Sequence, residues 1–281
     1  MTASELRKKI EIMLKPCGNS EQESAWIVER AAVIPSQEIP IETRQLSASE
    51  IGEAEKMASR RLQGEPLQYI LGDEYFGDIL LKVGPGCLIP RPETWGIVEF
   101  ACRTLPENGL FCELGTGSGA VSIAVARERT GCRIFASEIS PEALYWARRN
   151  LNAYELPNME LRQGSLFDPF PGMKFDFIAA NLPYIPYEER ETLQREVRDH
   201  EPGIALFAED SGTAVMKEAV RNLKDHWLPD GVAIFEMAPE QIPLMTEFAL
   251  SHDIPQTETV KDCFGLPRFL VLKNHSVRHQ A

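Results

Sequence analysis

Leu110-Phe-Cys-Glu-Leu114 runs directly into Gly115-Thr-Gly-Ser-Gly119, and this stretch decides the fold. The first part is a short apolar run of the length of a buried strand. Glycines at alternate positions then let the backbone approach a ligand closely, and the next helix would begin there with free N–H groups. Glu113 precedes the turn, and Glu138 ends the next predicted strand, where a carboxylate can accept hydrogen bonds from ribose hydroxyls. The stretch therefore predicts a site for a nucleoside cofactor.

Strands and helices alternate around this stretch from about residue 95 onward. The predicted strands are 110–114, 133–137, 158–163, 175–180, 231–236 and 268–273, and the predicted helices lie near 94–104, 119–129, 141–153, 211–226 and 240–250. Such alternation predicts an α/β fold with a doubly wound, mainly parallel sheet that is covered on both faces. The last strand follows Gly265-Leu-Pro267 closely, so we expect it to return as a hairpin and run antiparallel.

The first seventy residues have a different pattern, which predicts a small helical domain. Apolar residues from Leu6 to Leu14 recur at helical spacing, and Ser20 with Glu23 and Ser47 with Glu50 both match the capping box. Residues 73–83 predict two short strands that turn at Gly77-Asp78. We therefore predict a helical domain over 1–70, a β-hairpin linker over 71–84 and the α/β domain over 85–281. The pattern leaves open whether the helical domain binds a partner or only stabilises the chain.

Charge and composition limit the classes of partner. The net charge is −13, of which −11 falls on residues 71–281. An enzyme that acts on nucleic acid usually carries a basic face, so the charge favours a protein or small-molecule acceptor. No apolar run approaches the length of a membrane span, and the six cysteines lack paired C-x-x-C spacing. We expect a cytoplasmic protein with free thiols, no metal site, and no membrane or nucleic-acid partner.

Asn181-Leu-Pro-Tyr184 closes the apolar run Phe175-Asp-Phe-Ile-Ala-Ala180 and carries the chemistry. An amide nitrogen is a poor nucleophile, so it needs two acceptors for its hydrogens and an in-line approach to the carbon it attacks. The Asn181 side-chain oxygen and the Leu182 carbonyl can be these acceptors, while Pro183 stiffens the loop and Tyr184 offers a flat stacking face. Together with the glycine turn, the loop predicts methyl transfer from S-adenosylmethionine to an amide or an exocyclic amine.

The chain resembles the release-factor glutamine methyltransferases of the HemK/PrmC family over nearly its whole length. The likeness is carried by Gly64-Glu-Pro-Leu-Gln-Tyr-Ile-Leu-Gly72, Leu88-Ile-Pro-Arg-Pro-Glu-Thr94, Glu113 to Gly119, Asn181 to Tyr184, and Glu201-Pro202 with Ala205-Leu206. The resemblance implies a Rossmann-like class I methyltransferase domain with a seven-stranded, mostly parallel sheet, preceded by a small all-α domain and a β-hairpin. It also implies methylation of the glutamine side-chain amide in the Gly-Gly-Gln motif of peptide-chain release factors, with S-adenosylhomocysteine as the second product.

The resemblance assigns roles to individual residues of this chain. Asn181, Pro183 and Tyr184 would be catalytic. The cofactor would be bound by Glu113, Gly115, Thr116, Gly117, Ser118, Gly119, Glu138, Ser165, Leu166 and Asn181. The protein substrate would be bound by Arg91, Glu93, Asn181, Leu182, Pro183, Tyr184 and Glu201.

Three positions depart from the family pattern. Leu182 stands where the family usually has proline, but its carbonyl remains available and its backbone is still confined to extended conformations before Pro183. Ser165 replaces an aspartate that commonly faces the adenine amino group, so we expect weaker cofactor affinity or a backbone contact in its place. Glu113 replaces the commoner aspartate with a longer carboxylate of the same function.

Two other hypotheses about the function stay open at this point. Asn-Leu-Pro-Tyr is also the form found in rRNA adenine dimethyltransferases, and related motifs serve DNA adenine methyltransferases. The acidic charge, the helical domain and the segment from Pro90 to Thr94 argue against them. The second alternative is a catalytically idle binding module of the same fold. The intact glycine turn and the intact loop from Asn181 to Tyr184 argue against it.

Overall fold

The computed structural model describes residues 1–274, which form two compact units. The first contains residues 1–73 and 194–200, and the second contains residues 74–193 and the described residues from 201 onward. The α-helices are α1 Ala3–Leu14, α2 Ser20–Ala32, α3 Ala48–Leu62, α4 Leu67–Leu71, α5 Trp95–Thr104, α6 Ala120–Glu128, α7 Pro141–Tyr154, α8 Arg195–His200, α9 Gly203–Leu206, α10 Ala214–His226 and α11 Gln241–Ser251. The strands are β1 Asp73–Phe76, β2 Ile79–Lys82, β3 Leu110–Leu114, β4 Arg133–Glu138, β5 Met159–Gln163, β6 Phe175–Ala180, β7 Ile185–Pro186, β8 Phe207–Ala208, β9 Trp227–Glu236, β10 Gln256–Lys261 and β11 Pro267–Lys273.

The first unit is built on the amphipathic helices that the sequence predicts. Buried residues of α1 recur at three- and four-residue spacing, namely Ala3, Leu6, Ile10 and Leu14, and they form one apolar cluster with α2 and α3. The capping box at Ser47 and Glu50 is confirmed. Thr2 and Glu5 form a second box, at the start of α1, which the sequence reading missed.

The capping box predicted at Ser20 and Glu23 is wrong. Helix α2 already includes Ser20, and Asn19 occupies the N-cap position without a side-chain cap. The carboxylate of Glu23 instead accepts two hydrogen bonds from the Arg61 guanidinium, each at 3.0 Å. Arg61 also binds Glu196 of α8 at 2.5 Å. A buried ion pair therefore holds the carboxylate that the motif assigned to the helix end.

The second unit contains the seven-stranded sheet. The strand order is β10-β11-β9-β6-β3-β4-β5, and only β11 runs against its neighbours. The α/β fold, the mostly parallel sheet and the antiparallel last strand are therefore confirmed. Strand β10 was not predicted because none of its residues is buried and its sequence Gln256-Thr-Glu-Thr-Val-Lys261 is mostly polar. Because β10 lies at the edge of the sheet, polar and charged side chains suit it, as is usual for edge strands.

Two apolar clusters cover the two faces of this sheet. One contains Phe111, Phe177 and Phe269 with helices α5 and α6. The other contains Phe135, Phe175 and Phe235 with helices α10 and α11. Residues 177–180 of β6 alternate between the clusters, with Phe177 and Ala179 in the first and Ile178 and Ala180 in the second, as a sheet buried on both faces requires.

The hairpin prediction is confirmed, whereas the end of the last predicted domain is not described by the structure. The two strands predicted over 73–83 are present as β1 and β2. Residues 275–281, the end of the predicted domain 85–281, lie outside the described residues. Across residues 1–274, no helix combines the length and the apolar character that a membrane crossing needs.

Candidate active site

Four strand ends place the predicted site in one row. Leu114 pairs with Ser137 on one side and with Ala180 on the other, and Ala180 pairs with Phe235. The residues that follow these positions are therefore neighbours at the carboxyl edge of the sheet, in the order Glu138, Gly115, Asn181 and Glu236. After β3 the chain forms β4 and β5 on one side of that strand, and it then forms β6 on the other side. The row of strand ends therefore spans a topological switch point, where α/β folds bind ligands.

A cavity of about 230 Å³ opens at this edge. Most of the predicted site residues line it, namely Arg91, Glu113, Gly115, Thr116, Gly117, Ser118, Glu138, Ser165, Leu166, Asn181, Leu182 and Pro183. Gly119, Glu93, Tyr184 and Glu201 do not line it. The structure thus gathers the glycine turn and the Asn181 loop around one cavity, which four of the predicted residues do not line.

The glycine turn needs its glycines for a physical reason. Gly115, Gly117 and Gly119 have φ values of 68°, 58° and 85°, in the left-handed region that other residues adopt at a cost. A Cβ atom on Gly115 would lie 3.1 Å from the Leu182 side chain. A Cβ on Gly117 would meet no atom within 4 Å, because this residue faces open space. The backbone of Gly117 is therefore accessible from the cavity.

Glu113 is hydrogen-bonded both to the glycine turn and to the first turn of α6. Its carboxylate accepts hydrogen bonds from the Thr116 hydroxyl at 2.5 Å, from the Ser122 backbone N–H at 3.0 Å and from the Ser122 hydroxyl. Burial raises the pKa of Glu113 to about 7, and these hydrogen bonds oppose the rise. The acceptor at position 113 thus fixes the start of α6 relative to the turn.

Glu138 also binds the turn, and its carboxylate is largely buried as well. One oxygen accepts the Gly117 N–H at 2.8 Å, and the other accepts the Ser140 N–H at 2.9 Å. Burial raises its pKa, and the backbone hydrogen bonds oppose that rise. A carboxylate has about four lone-pair sites, so Glu138 keeps acceptor capacity toward the cavity.

The side chain of Asn181 is fixed by a residue that the sequence reading missed. Its Nδ2 donates to the Thr94 hydroxyl at 3.1 Å, and Thr94 also lines the cavity. Because Nδ2 is bound to Thr94, Oδ1 at the other end of the planar amide points away from Thr94. Leu182 is 4 % exposed and packs into the second apolar cluster, so the loop is anchored at the very next residue.

Tyr184 is fixed through its backbone. Its carbonyl accepts a hydrogen bond from Gln241 Nε2 at 2.7 Å, and the same amide group binds the Ser211 carbonyl at 3.0 Å. A Cβ on Gly212 would lie 2.0 Å from the Tyr184 carbonyl oxygen. The Tyr184 ring packs against the second apolar cluster, and burial raises its pKa to about 12. The stacking role predicted for this ring stays a prediction.

Glu201 acts on the wall of the cavity rather than in it. Its buried carboxylate accepts the Ile89 N–H at 3.1 Å and the Arg91 guanidinium at 2.5 Å. These contacts fix the segment Ile89-Pro90-Arg91, of which Pro90 and Arg91 line the cavity. Glu201 therefore orients a lining segment, and direct contact of Glu201 with a substrate stays a prediction.

Glu236 is the second residue of the site that the sequence reading missed. It is 2 % exposed, and the Thr94 hydroxyl interacts with its carboxylate. Burial raises its pKa to about 7; Thr94 and Arg268 oppose the rise, and Glu93 adds to it. The signal was available, since Glu236 ends a predicted strand just as Glu138 does. Thr94 lies in the Pro-Arg-Pro-Glu-Thr segment, but its partners are distant in the sequence.

Comparison with known protein families identifies two matching parts of the chain. Residues 5–72 match the model of the PrmC N-terminal domain, and residues 111–201 match that of a methyltransferase domain. A release factor glutamine methyltransferase of Thermodesulfovibrio yellowstonii is 30% identical over 259 residues, covering 90% of this chain and 92% of that protein. The enzyme of the same name from Neisseria gonorrhoeae is 37% identical over 235 residues, covering 83% of this chain and 82% of its own.

Solved structures agree on the fold. A methyltransferase from Pyrococcus furiosus superimposes with a TM-score of 0.54 at 18% identity, covering 70% of this chain and 89% of that chain. The hMettl16 catalytic domain gives a TM-score of 0.55 at 13% identity, covering 85% and 84% of the two chains. At these identities the likeness concerns the fold alone.

Proposed function

The chain belongs to the family of release factor glutamine methyltransferases, and we propose that it methylates the side-chain amide of the Gly-Gly-Gln glutamine in peptide-chain release factors, with S-adenosylmethionine as methyl donor. One observation carries the proposal. The Asn181 amide follows Ala180, whose register partner Leu114 precedes the glycine turn, and its Nδ2 is already bound to Thr94. Its oxygen is thus left as the acceptor beside the turn.

The residues around the turn fit S-adenosylmethionine. Gly117 presents open backbone to the cavity, and Glu138 presents a buried carboxylate with spare acceptor capacity for hydroxyl groups. Leu166 and Ile139 add apolar surface for a flat ring, and Ser165 adds a hydroxyl. We propose that these residues and Glu113 hold the cofactor. Bound there, it supplies an electrophilic methyl group on a sulfonium sulfur.

The chain contributes orientation rather than acid–base chemistry. Asn181 Oδ1 and the Leu182 carbonyl would each accept one hydrogen of the incoming amide, which fixes its plane and the direction of its lone pair. Pro183 restricts the backbone of Leu182 to extended conformations, so the second acceptor cannot turn away. Correct orientation of this kind can supply about 7–11 kcal/mol of a reaction barrier.

The neighbouring residues would position the protein substrate. We propose that Arg91 contacts the release factor at the mouth of the cavity, since it lines the cavity and is half-buried. Glu201 would hold Arg91 in that position through their ion pair. Tyr184 and Glu93 would act from behind the loop, since neither lines the cavity.

The helical domain is proposed to capture the release factor. The match of residues 5–72 to the PrmC N-terminal domain and the separate apolar core of the first unit support an autonomous function for this part. We place the protein in the cytoplasm because release factors act there on ribosomes. Hydrogen exchange of the full chain would test the capture role, since added release factor should then protect amides within residues 1–70.

A methyl-transfer assay tests the proposed function. Labelled S-adenosylmethionine is supplied with a release factor, with the same factor carrying alanine in place of the Gly-Gly-Gln glutamine, with rRNA or with DNA. We expect label on the unaltered factor only. Asn181→Ala provides the matched enzyme control and should transfer almost none. Label on nucleic acid alone would favour an adenine methyltransferase, and label on no acceptor would favour an idle module.

A further inference from the structure

A chain of hydrogen bonds runs from Asn181 into the protein interior. Asn181 Nδ2 donates to the Thr94 hydroxyl, whose own proton is then free for the Glu236 carboxylate; Glu236 follows the register partner of Ala180 at the sheet edge, and the Thr94 hydroxyl lowers its pKa. Thr94 and Asn181 line the cavity, whereas the buried Glu236 does not. The second carboxylate oxygen of Glu236, Oε2, is buried without a hydrogen-bond partner among the described residues. A buried carboxylate with so few donors costs free energy, so its presence at this point calls for a physical reason.

The direction of each hydrogen bond follows from the chemistry of the end group. An ionised carboxylate can only accept, so the single proton of the Thr94 hydroxyl must point to Glu236. The Thr94 oxygen is then limited to accepting, and of the two ends of the Asn181 amide only the NH2 group can donate to it. The ionised Glu236 thereby excludes the flipped amide, in which Oδ1 would face Thr94.

We propose that Glu236 and Thr94 form a positioning relay that fixes the amide of Asn181 with its oxygen toward the substrate amide. The inference rests on the proposed function, because it assigns a use to Oδ1 of Asn181. Neither relay residue touches the reacting atoms. A flipped Asn181 would present a donor to the hydrogens of the incoming amide, and the orientation of the nucleophile would be lost.

The relay depends on the charge of Glu236. A protonated Glu236 can donate to the Thr94 oxygen, which frees the threonine proton to point at Asn181 and removes the preference for one amide orientation. The charged and titratable groups that act on Glu236 are Arg268 and Arg91, which favour its ionised form, and Glu93, which opposes it. The charge of Glu236 in turn raises the pKa of Tyr184. With the pKa of Glu236 near 7, turnover should rise with pH through neutrality.

Three variants test the relay against a matched control. Thr94→Val removes the hydroxyl at constant shape, Thr94→Ser retains it, and Glu236→Gln replaces the acceptor-only group with one that can also donate. Thr246→Val is the control, since the Thr246 hydroxyl binds only a carbonyl of its own helix, that of Ile242, and does not line the cavity. Turnover at saturating cofactor and release factor is measured against pH, and cofactor affinity is measured by calorimetry.

The expected results separate positioning from simple stability. Thr94→Val should lower kcat by about ten- to a hundredfold, the scale on which a misplaced group affects rate, with cofactor affinity unchanged. Thr94→Ser should stay within about twofold of the original protein. Glu236→Gln should lower kcat and abolish its rise through neutral pH. Glu113 has a similar pKa but is present in every variant, so the difference between the profiles isolates Glu236.

A second readout does not require turnover. In the cofactor-free protein, the side-chain NH2 signal of Asn181 is identified as the one missing from Asn181→Ala. Its ¹⁵N chemical shift should titrate near neutral pH in the original protein and stay constant in Glu236→Gln. Equal impairment of Thr94→Ser and Thr94→Val would overturn the relay, and so would an unchanged pH profile in Glu236→Gln. Failure of the unaltered enzyme to label the release factor would instead overturn the proposed function.

Discussion

The cofactor-free protein should become less stable as the pH rises from about 5 to about 8. Glu113 and Glu236 are both buried, and burial raises the pKa of each from 4.5 to about 7. Between these two values the folded protein holds a proton on each group that the unfolded chain has already released. The free energy of unfolding therefore falls as the pH increases through this window.

The magnitude follows from the size of the shift. Each group should lose roughly 2–3 kcal/mol of stabilisation between pH 5 and pH 8, so the pair together should lose about 5 kcal/mol. Acidic groups whose pKa is lowered in the fold do not offset this, because their contribution is already complete above pH 5. They include Glu65, Asp210 and Asp262. A loss of about 5 kcal/mol is a large share of the stability of an ordinary domain.

Urea unfolding at both pH values, followed by tryptophan fluorescence, measures this effect. Glu236→Gln cannot ionise, so it should lose roughly 2–3 kcal/mol of the pH dependence and exceed the original protein in stability at pH 8 by a similar amount. Glu240→Gln is the matched control, because Glu240 is exposed. An unfolding free energy that is constant or rises from pH 5 to pH 8 would refute the reasoning. So would identical pH dependence in Glu236→Gln and the original protein.

Three further changes have defined outcomes. Asn181→Ala should lower kcat by at least about a hundredfold with unchanged cofactor affinity, because it removes one of the two acceptors that orient the amide; near-normal kcat would contradict the clamp. Gly212→Ala should lower both the unfolding temperature and kcat, because the residue has a φ of 81° and its new Cβ would collide with the Tyr184 carbonyl; unchanged thermal unfolding would show that the loop adapts freely. Glu138→Gln should weaken cofactor binding about tenfold in calorimetry, since the uncharged amide has one acceptor oxygen and cannot accept from both the Gly117 and the Ser140 N–H as the two carboxylate oxygens do; unaltered affinity would exclude its predicted contact with the cofactor.

Much of the site could be predicted because its parts are local in sequence. The run Leu110–Leu114 and its glycines predict a strand, a turn and a helix together, and Asn181 to Tyr184 directly follows a buried strand in the same way. Parallel strand ends then meet at one edge of the sheet, which brings the two motifs together without further information.

The rest depends on contacts that local patterns do not contain. Thr94 reaches Asn181 across a separation of 87 residues, and Glu201 reaches Ile89 across 112. Such pairs are fixed by the strand order, which the alternation of elements does not specify. The capping box at Ser20 failed for the same reason, since a distant arginine takes the carboxylate of Glu23. Segment 194–200 belongs to the first unit although it lies within the predicted second domain, and its ion pair with Arg61 is equally remote in sequence.

Mass spectrometry of the modified release factor tests the central claim most directly. The purified factor is incubated with the enzyme and S-adenosylmethionine, digested, and its Gly-Gly-Gln peptide is fragmented to locate the added methyl group. The account predicts a single methyl group on the side-chain amide nitrogen of the glutamine, present with the original enzyme and absent with Asn181→Ala. A methyl group on another residue, or equal methylation by Asn181→Ala, would contradict it.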